Sequence, residues 1–233
     1  MRPWHIAAIG QLIGVTASGP TMEDPPNSGD IRDTYNEIGD HFAETRNRPW
    51  KQVATFLQSF GHQQCGIDIG CGNGRHLPLL EETCSSVIGI DISRVLLAHA
   101  ATNDGTNRSL ILGDASTMPI RSERVDLALS IATIHHLPSP SARRAGFNEI
   151  NRILKSDGAV LLSTWSVNHS KFAHRSPGDY FVPWTLPDGT VVDRYYHLFD
   201  AASLETELKN SKLQIDQVWE ENGNCWARCH RSG

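Results

Sequence analysis

The sharpest chemical spacing in the chain is Asp68-Ile69-Gly70-Cys71-Gly72-Asn73-Gly74, three glycines at alternate positions behind a carboxylate. Glycine has no Cβ, so such a run lets the backbone pass through positive φ and come close to a ligand. Two further carboxylates close the next apolar runs: Asp91, 23 positions after Asp68, and Asp114, within Gly113-Asp114-Ala115. The first, next to Ile92, can accept both hydroxyls of a ribose. The second, next to Ala115, can accept an adenine amine, and Ser130-Ile131-Ala132 supplies an apolar wall for a flat base. Asp91 or Asp114 alone fits the capping of a following helix equally well. Both together, behind this glycine loop, favour a nucleoside ligand. Loops that bind dinucleotides are spaced G-x-G-x-x-G and set a pyrophosphate on a helix N-terminus. Here the spacing is G-x-G-x-G, and Asp68 would repel a pyrophosphate. Acidic groups at three strand ends suit an adenosine compound with positive charge and no phosphate, which describes S-adenosylmethionine. Its expected contacts are Asp68, Gly70, Cys71, Gly72, Gly74, Asp91, Ile92, Asp114, Ala115, Ser130 and Ile131.

A scaffold must bring these residues to one crevice. Buried strands are predicted over 65–69, 86–90, 109–112, 125–131 and 159–163, the last entered through Asp157-Gly158. Helical patterns lie between them, near 77–80, from Ser93, and near 141–154. Strand and helix alternate every roughly 20–25 residues, which predicts an α/β fold with a doubly wound, mostly parallel sheet. Such sheets bind ligands at the carboxyl ends of their strands, where all the residues above fall. Ahead of this unit, Ile31, Tyr35, Ile38 and Phe42 recur at helical spacing, and Pro49 opens a second helix carrying Val53, Phe56, Leu57 and Phe60. After Trp165 the periodicity fades. Residues 167–198 read as an aromatic-rich insertion beside the active face, followed by a helix near 200–208 and strands near 213–219 and 224–229. Residues 1–30 read as a disordered extension ahead of one domain over 31–233. Its first 21 residues faintly resemble a secretory signal, although disorder fits them better.

The motifs together resemble class I S-adenosylmethionine-dependent methyltransferases, whose seven-stranded Rossmann-like sheet is then the expected fold. DIGCGNG, GIDIS and GDA carry that likeness. YNEIGDHFAETRNRPW, SIATIHHL and VPW…RYYHLF carry a narrower one, to the tRNA wobble-uridine methyltransferases, over residues 33–230. Lys155-Ser-Asp-Gly158 replaces the Pro-Gly-Gly turn usual in the wider group, and Glu221-Asn-Gly-Asn-Cys-Trp226 matches the family ending loosely. The resemblance implies esterification of the 5-carboxymethyl group of uridine 34 in a tRNA anticodon loop. It also implies a small zinc-binding activator subunit, with 109–112 as the edge where it pairs.

That chemistry needs positioning more than proton transfer, because a free carboxymethyl group has a pKa of roughly 4 and is already ionised at neutral pH. Arg46, His135 and Arg194 are the candidate catalytic residues, a cation or donor to hold the carboxylate in line. A solvated charge, a helix-entry hydrogen bond and a loop salt bridge are their respective alternatives. Tyr35 and His41 are candidate pocket residues. Trp165, Phe181, Trp184 and Tyr195 are candidate base-stacking surfaces, although aromatics in such a segment more often form a local core. Arg48, Arg143, Arg144 and Arg175 are candidate phosphate contacts. A small-molecule methyltransferase of the same fold and a non-catalytic scaffold are the competing readings.

Composition sets the outer bounds. The chain has 233 residues, 39% of them hydrophobic, enough for a sizeable core. No run approaches the roughly 18 apolar residues of a membrane span. A net charge of −5 argues against gripping nucleic acid by bulk positive charge alone and leaves room for a local basic groove, and 16 of the 21 basic residues are arginine, the better bidentate ligand for carboxylate or phosphate. Five cysteines at irregular spacing make a poor disulfide framework, which points to a reducing cytoplasm. Cys225-x3-Cys229-His230 has no second pair, so no metal is expected.

Overall fold

The computed structural model describes residues 26–102, 105, 107–172 and 174–232. The signal-like start and most of the expected disordered extension lie outside them. Within 26–30 the expectation of disorder is corrected: helix α1 (Ser28–Glu37) begins at Ser28. Asn27 sets this start, because its Oδ1 accepts from the Gly29 and Asp30 amides while Asp30 accepts from the Asn27 amide, a reciprocal capping box. α2 (Gly39–Glu44) and α3 (Lys51–Gln58) follow.

The sheet is then built from β1 (Gln63–Ile69), β2 (Cys84–Asp91), β3 (Arg108–Leu112), β4 (Val125–Ile131) and β5 (Leu154–Trp165). Helices α4 (Leu77–Thr83), α5 (Arg94–Thr102) and α6 (Pro140–Ile153) connect them. Beyond β5 come the hairpin β6 (Gly178–Thr185) and β7 (Val191–Leu198), helix α7 (Ala201–Lys209), and strands β8 (Leu213–Glu221) and β9 (Asn224–Arg231). The seven-stranded order is β3-β2-β1-β4-β5-β9-β8, with β1–β5 parallel and the last two pairings antiparallel.

All seven residues of β4 are buried, as a central parallel strand with both faces covered requires. Its alternation divides the core. Leu127, Leu129 and Ile131 pack with Val53, Phe56 and Leu57 of α3 and Leu77 and Leu80 of α4. Ala128 packs on the other face with Phe147, Ile150 and Ile153 of α6. The order reverses between β1 and β4, which opens a crevice at their carboxyl ends.

Residues 167–198 differ from their expected irregularity. β6 and β7 pair in register from Gly178↔Leu198 to Thr185↔Val191. Pro183 inside β6 hides the strand, but a two-stranded ribbon leaves one side of β6 free, where a missing amide costs no ladder bond. The hairpin lays Val192, Tyr195, Phe181 and Trp184 against Ile31, Tyr35 and Phe42. It thereby roofs the carboxyl end of the sheet. No helix among the described residues is long and apolar enough to cross a membrane.

Candidate active site

The glycine loop leaves β1 through three left-handed residues, Gly70 (φ 70°), Gly72 (φ 55°) and Gly74 (φ 78°). Its amides are anchored to β2: Gly70 and Cys71 donate to the Ile90 carbonyl at 2.7 and 3.0 Å, and Gly72 donates to Asp91 Oδ2 at 2.8 Å. Asp91 Oδ1 accepts from the Ser93 amide at 2.8 Å, so this carboxylate both shapes the loop and caps the entry to α5. Burial pushes Asp91 up to about 6, against the pull of those two amides. Asp114 likewise makes a local turn, accepting from the Ser116 amide and hydroxyl at 2.8 Å.

These groups line one cleft at the carboxyl end of the sheet, partly open to solvent. Of the expected donor contacts, Gly70, Cys71, Gly72, Asp91, Ile92, Asp114, Ala115 and Ile131 reach its wall. Gly74 does not. It packs against Ala100 and Leu77 and lets the loop close onto α5. Ser130 is also corrected: strand alternation turns it away from Ile131, and its Oγ is buried without a partner. Asp68 is 1% exposed and sits behind the loop rather than in the wall. Neither of its carboxylate oxygens has a hydrogen-bond partner, and His76 Nδ1 stands 3.7 Å away.

The catalytic candidates divide. His135 is corrected: it is fully buried, stacked on Tyr196 at 4.8 Å, and neither ring nitrogen has a partner. The segment Ile134–His136 is a 3-10 turn, in which successive side chains diverge by a third of a turn, so His136 faces the cleft instead. His136 Nδ1 lies 3.0 Å from the Tyr195 carbonyl, which can only accept. Nδ1 therefore carries the proton, and Nε2 accepts from the Tyr35 hydroxyl at 2.9 Å. Tyr35 lines the cleft as expected. His41 does not; it accepts from Trp184 Nε1 at 3.2 Å.

Burial holds His136 down at about 4 and keeps His135 well below the usual imidazole range. The unfolded chain therefore binds protons that the folded chain refuses as pH falls from about 6.5 to 4, and stability declines over that window. In His136→Gln the decline is expected to be shallower, measured by urea unfolding at pH 7 and pH 5. An equal decline in both proteins would remove His136 as its cause.

Arg46 and Arg194 lie outside the cleft wall but share one aromatic neighbour. Their guanidinium carbons stand 5.4 and 4.7 Å from the Trp184 ring. Arg194 is 2% exposed, rests 5.0 Å from Tyr196, and its Nε has no partner. Arg46 is half-buried at the end of α2, where Asn73 Nδ2 donates at 3.0 Å to the Ala43 and Arg46 carbonyls. The glycine loop itself thus holds the Arg46 turn. Arg75, absent from the candidates, enters the cleft directly behind that loop and lies 5.2 Å from Trp50. Its position after Gly74 was the available signal. Burial pulls its guanidinium down to about 10, against the opposing effect of Asp68.

The proposed RNA contacts also divide. Arg143 is corrected: it is 1% exposed and forks onto Glu207 at 2.6 to 3.0 Å. Tyr195 is buried with its hydroxyl on Asp179 at 2.6 Å, a core residue rather than a base platform. Trp165, Phe181 and Trp184 are half-buried, and Arg48, Arg144 and Arg175 are exposed. Cys225 and Cys229 are buried in β9, their thiols pushed up to about 12 by burial, and all five cysteines are free.

Fold and site together define a class I methyltransferase. The family profile described as a methyltransferase domain matches residues 67–162. The DhpI chain, solved as a complex with S-adenosylhomocysteine, superposes with a TM-score of 0.69 over 88% of this chain and 97% of that one, at 16% identity. A chain solved in complex with the Haloferax volcanii Trm112 methyltransferase activator superposes at 0.63 over 87% of this chain and 98% of that one, at 17% identity. The tRNA (carboxymethyluridine(34)-5-O)-methyltransferase of Schizosaccharomyces pombe is 30% identical over 220 residues, 84% of this chain and 93% of its own. The protein of the same name from Saccharomyces cerevisiae is 32% identical over 161 residues, 67% of this chain and 57% of its own. The chain belongs to the tRNA (carboxymethyluridine(34)-5-O)-methyltransferase family.

Proposed function

We propose that the chain is a cytoplasmic enzyme that esterifies the carboxylate of 5-carboxymethyluridine at wobble position 34 of tRNA, with S-adenosylmethionine as methyl donor. The observation that carries the acceptor chemistry is Arg194, a buried guanidinium with an unpartnered Nε and no carboxylate within ion-pair distance among the described residues. It lies beside a cleft whose composition fits the donor. A Cβ at Gly72 would project into open space, so the backbone there is bare to a ligand. The Asp68 carboxylate behind the loop, whose oxygens have no hydrogen-bond partner, favours positive charge in front of it.

Bound there, S-adenosylmethionine supplies an electrophilic methyl group on a sulfonium that leaves as a neutral thioether. Asp91 is placed to accept from ribose hydroxyls, and Asp114, Ile92, Ala115 and Ile131 to enclose the base. Arg194 holds the acceptor carboxylate from the hairpin side, and Arg46 stands beside it over the same indole. No residue has to take a proton, since the acceptor is already ionised, and this agrees with two histidines kept neutral by burial. Alignment of acceptor oxygen, methyl carbon and sulfur can contribute on the order of 7–11 kcal/mol.

The chain acts as one methyltransferase domain with the hairpin as its acceptor-side insertion, together with a small activator protein. Among the described residues β3 has no strand on its outer side and carries Leu112 at 59% exposure, which supports this partner, because an unpaired strand bearing an exposed apolar side chain invites strand addition. Mass spectrometry of tRNA nucleosides from a deletion strain tests the reading. 5-Carboxymethyluridine or its thiolated form should accumulate and the methyl ester disappear. Unchanged wobble nucleosides would overturn it in favour of a small-molecule acceptor.

A further inference from the structure

Acidic residues outnumber basic ones in this chain, 26 to 21, yet Arg46, Arg194 and Lys171 on the acceptor side, and Arg75 behind the glycine loop, have no carboxylate at ion-pair distance among the described residues. Other poorly exposed cations are matched: Arg108 with Glu81 and Arg143 with Glu207, both at 2.6 Å. Arg75 belongs to the donor cleft. The other three are graded by depth. Arg194 is buried, Arg46 is half-buried over the same Trp184 ring, and Lys171 is exposed at the rim. Lys171 stands over Trp165, whose ring lies 5.5 Å from Tyr196, the ring on which Arg194 rests, so one aromatic wall joins the two cations. Desolvation, and with it repulsion from Arg194 and Arg46, accordingly lowers the Lys171 ammonium.

The backbone carrying Lys171 is held. It lies in the 3-10 turn Ser170–Phe172, its amide donates to His169 Nδ1 at 3.0 Å, and His169 stacks on Trp165 at 5.2 Å. Lys171 Nζ stands 5.8 Å from the same Trp165 ring. One acceptor carboxylate carries a single negative charge, which leaves two of the three cations unmatched. A phosphodiester flanking the modified uridine carries another and lies toward the outside of a nucleotide whose base points inward.

We propose that Lys171, with Arg46, forms a subsite for a backbone phosphate of the RNA acceptor, at the rim above the carboxylate position at Arg194. The inference rests on the proposed function and adds to it that the acceptor is read as a nucleotide, not as a free nucleoside or a small carboxylic acid.

The test measures esterification of a synthetic anticodon stem-loop carrying 5-carboxymethyluridine over a range of salt concentrations, using the full chain with its activator subunit. In Lys171→Ala the slope of log(kcat/KM) against log salt is expected to become shallower by about 0.7, one single-strand phosphate contact, and KM to rise roughly fourfold at 0.15 M salt. Lys171→Arg should restore the slope. Lys209→Ala, which removes a charge on α7 paired with Glu205, should leave it unaltered. An unchanged slope and KM in Lys171→Ala would overturn the phosphate subsite while ester formation on RNA stands. If the wild-type chain esterifies a small carboxylic acid and no RNA, the functional reading fails and the subsite falls with it.

Discussion

Replacing Arg194 by methionine should lower kcat/KM for the RNA acceptor by roughly two to three orders of magnitude, about the cost of removing one donor from a preorganised oxyanion site. The same substitution should make the unliganded protein more stable. Arg194 is a buried charge with no counter-ion at ion-pair distance among the described residues, and Arg46 stands over the same indole. Replacing even a buried ion pair by apolar side chains of similar volume is often neutral or stabilising by about 1–4 kcal/mol, and a lone buried charge has no Coulombic attraction to lose. The lost contacts with Trp184 and Tyr196 offset part of that, at about 0.5–2 kcal/mol. A rise in Tm of a few degrees is therefore expected, at roughly 2–4 °C per kcal/mol for a chain of this size. Arg194→Lys should fall between, since it keeps the charge and loses the fork. Titration with S-adenosylhomocysteine should give unchanged heats in all three proteins. If Arg194→Met melts earlier and loses donor binding with activity, the guanidinium is a structural group and the acceptor assignment is wrong.

The second large effect separates two glycines of one loop. A Cβ at Gly70 would run into Thr133, whose hydroxyl donates to the Ile69 and Ile131 carbonyls. Left-handed backbone costs a residue with a side chain about 1–2 kcal/mol, and overpacking a further 1–3 kcal/mol. Gly70→Ala should therefore lose several kcal/mol of stability in urea unfolding. At Gly72 the added methyl meets nothing within 4 Å, because it enters the cleft. Gly72→Ala should lose little more than the backbone cost, yet weaken S-adenosylhomocysteine binding roughly a hundredfold, a penalty of about 2.7 kcal/mol. Equal stability losses in the two variants, or full donor affinity in Gly72→Ala, would contradict the assignment of this loop as the donor cradle.

What the sequence made legible follows from how locally each feature is encoded. β4 is foreseen to the residue because every position of Val125–Ile131 is buried and a central strand tolerates little else. The glycine loop is legible because only glycine sits comfortably at φ values of 55° to 78°. The hairpin is hidden because aromatic residues occupy both of its faces, Tyr195 toward α1 and Tyr196 toward Phe172, which erases the period-two alternation. The exchange of His135 for His136 has a similar origin. Which of two adjacent side chains points outward depends on the phase of a 3-10 turn, and that phase is set by Tyr196 and Tyr195, some 60 residues away in sequence. Asp68 lies one layer behind its expected position, because a strand's order along the chain does not tell which residues its own loop will cover, and Ser130 misses the cleft because alternation turns it to the face opposite Ile131.

The two halves of the site have different histories along the polypeptide. The donor cradle draws on residues from Gly70 to Ile131, one contiguous stretch. The opposite wall joins the beginning of the chain to a late segment, with Phe42 and His41 meeting Trp184 across more than 140 positions. All the cradle residues are thus synthesised before Trp184, while the core beneath them waits for Phe199, Leu204 and Ala227 of the last elements. A prematurely terminated product carries every cradle residue yet lacks both the packing that holds them and the surface that meets an acceptor.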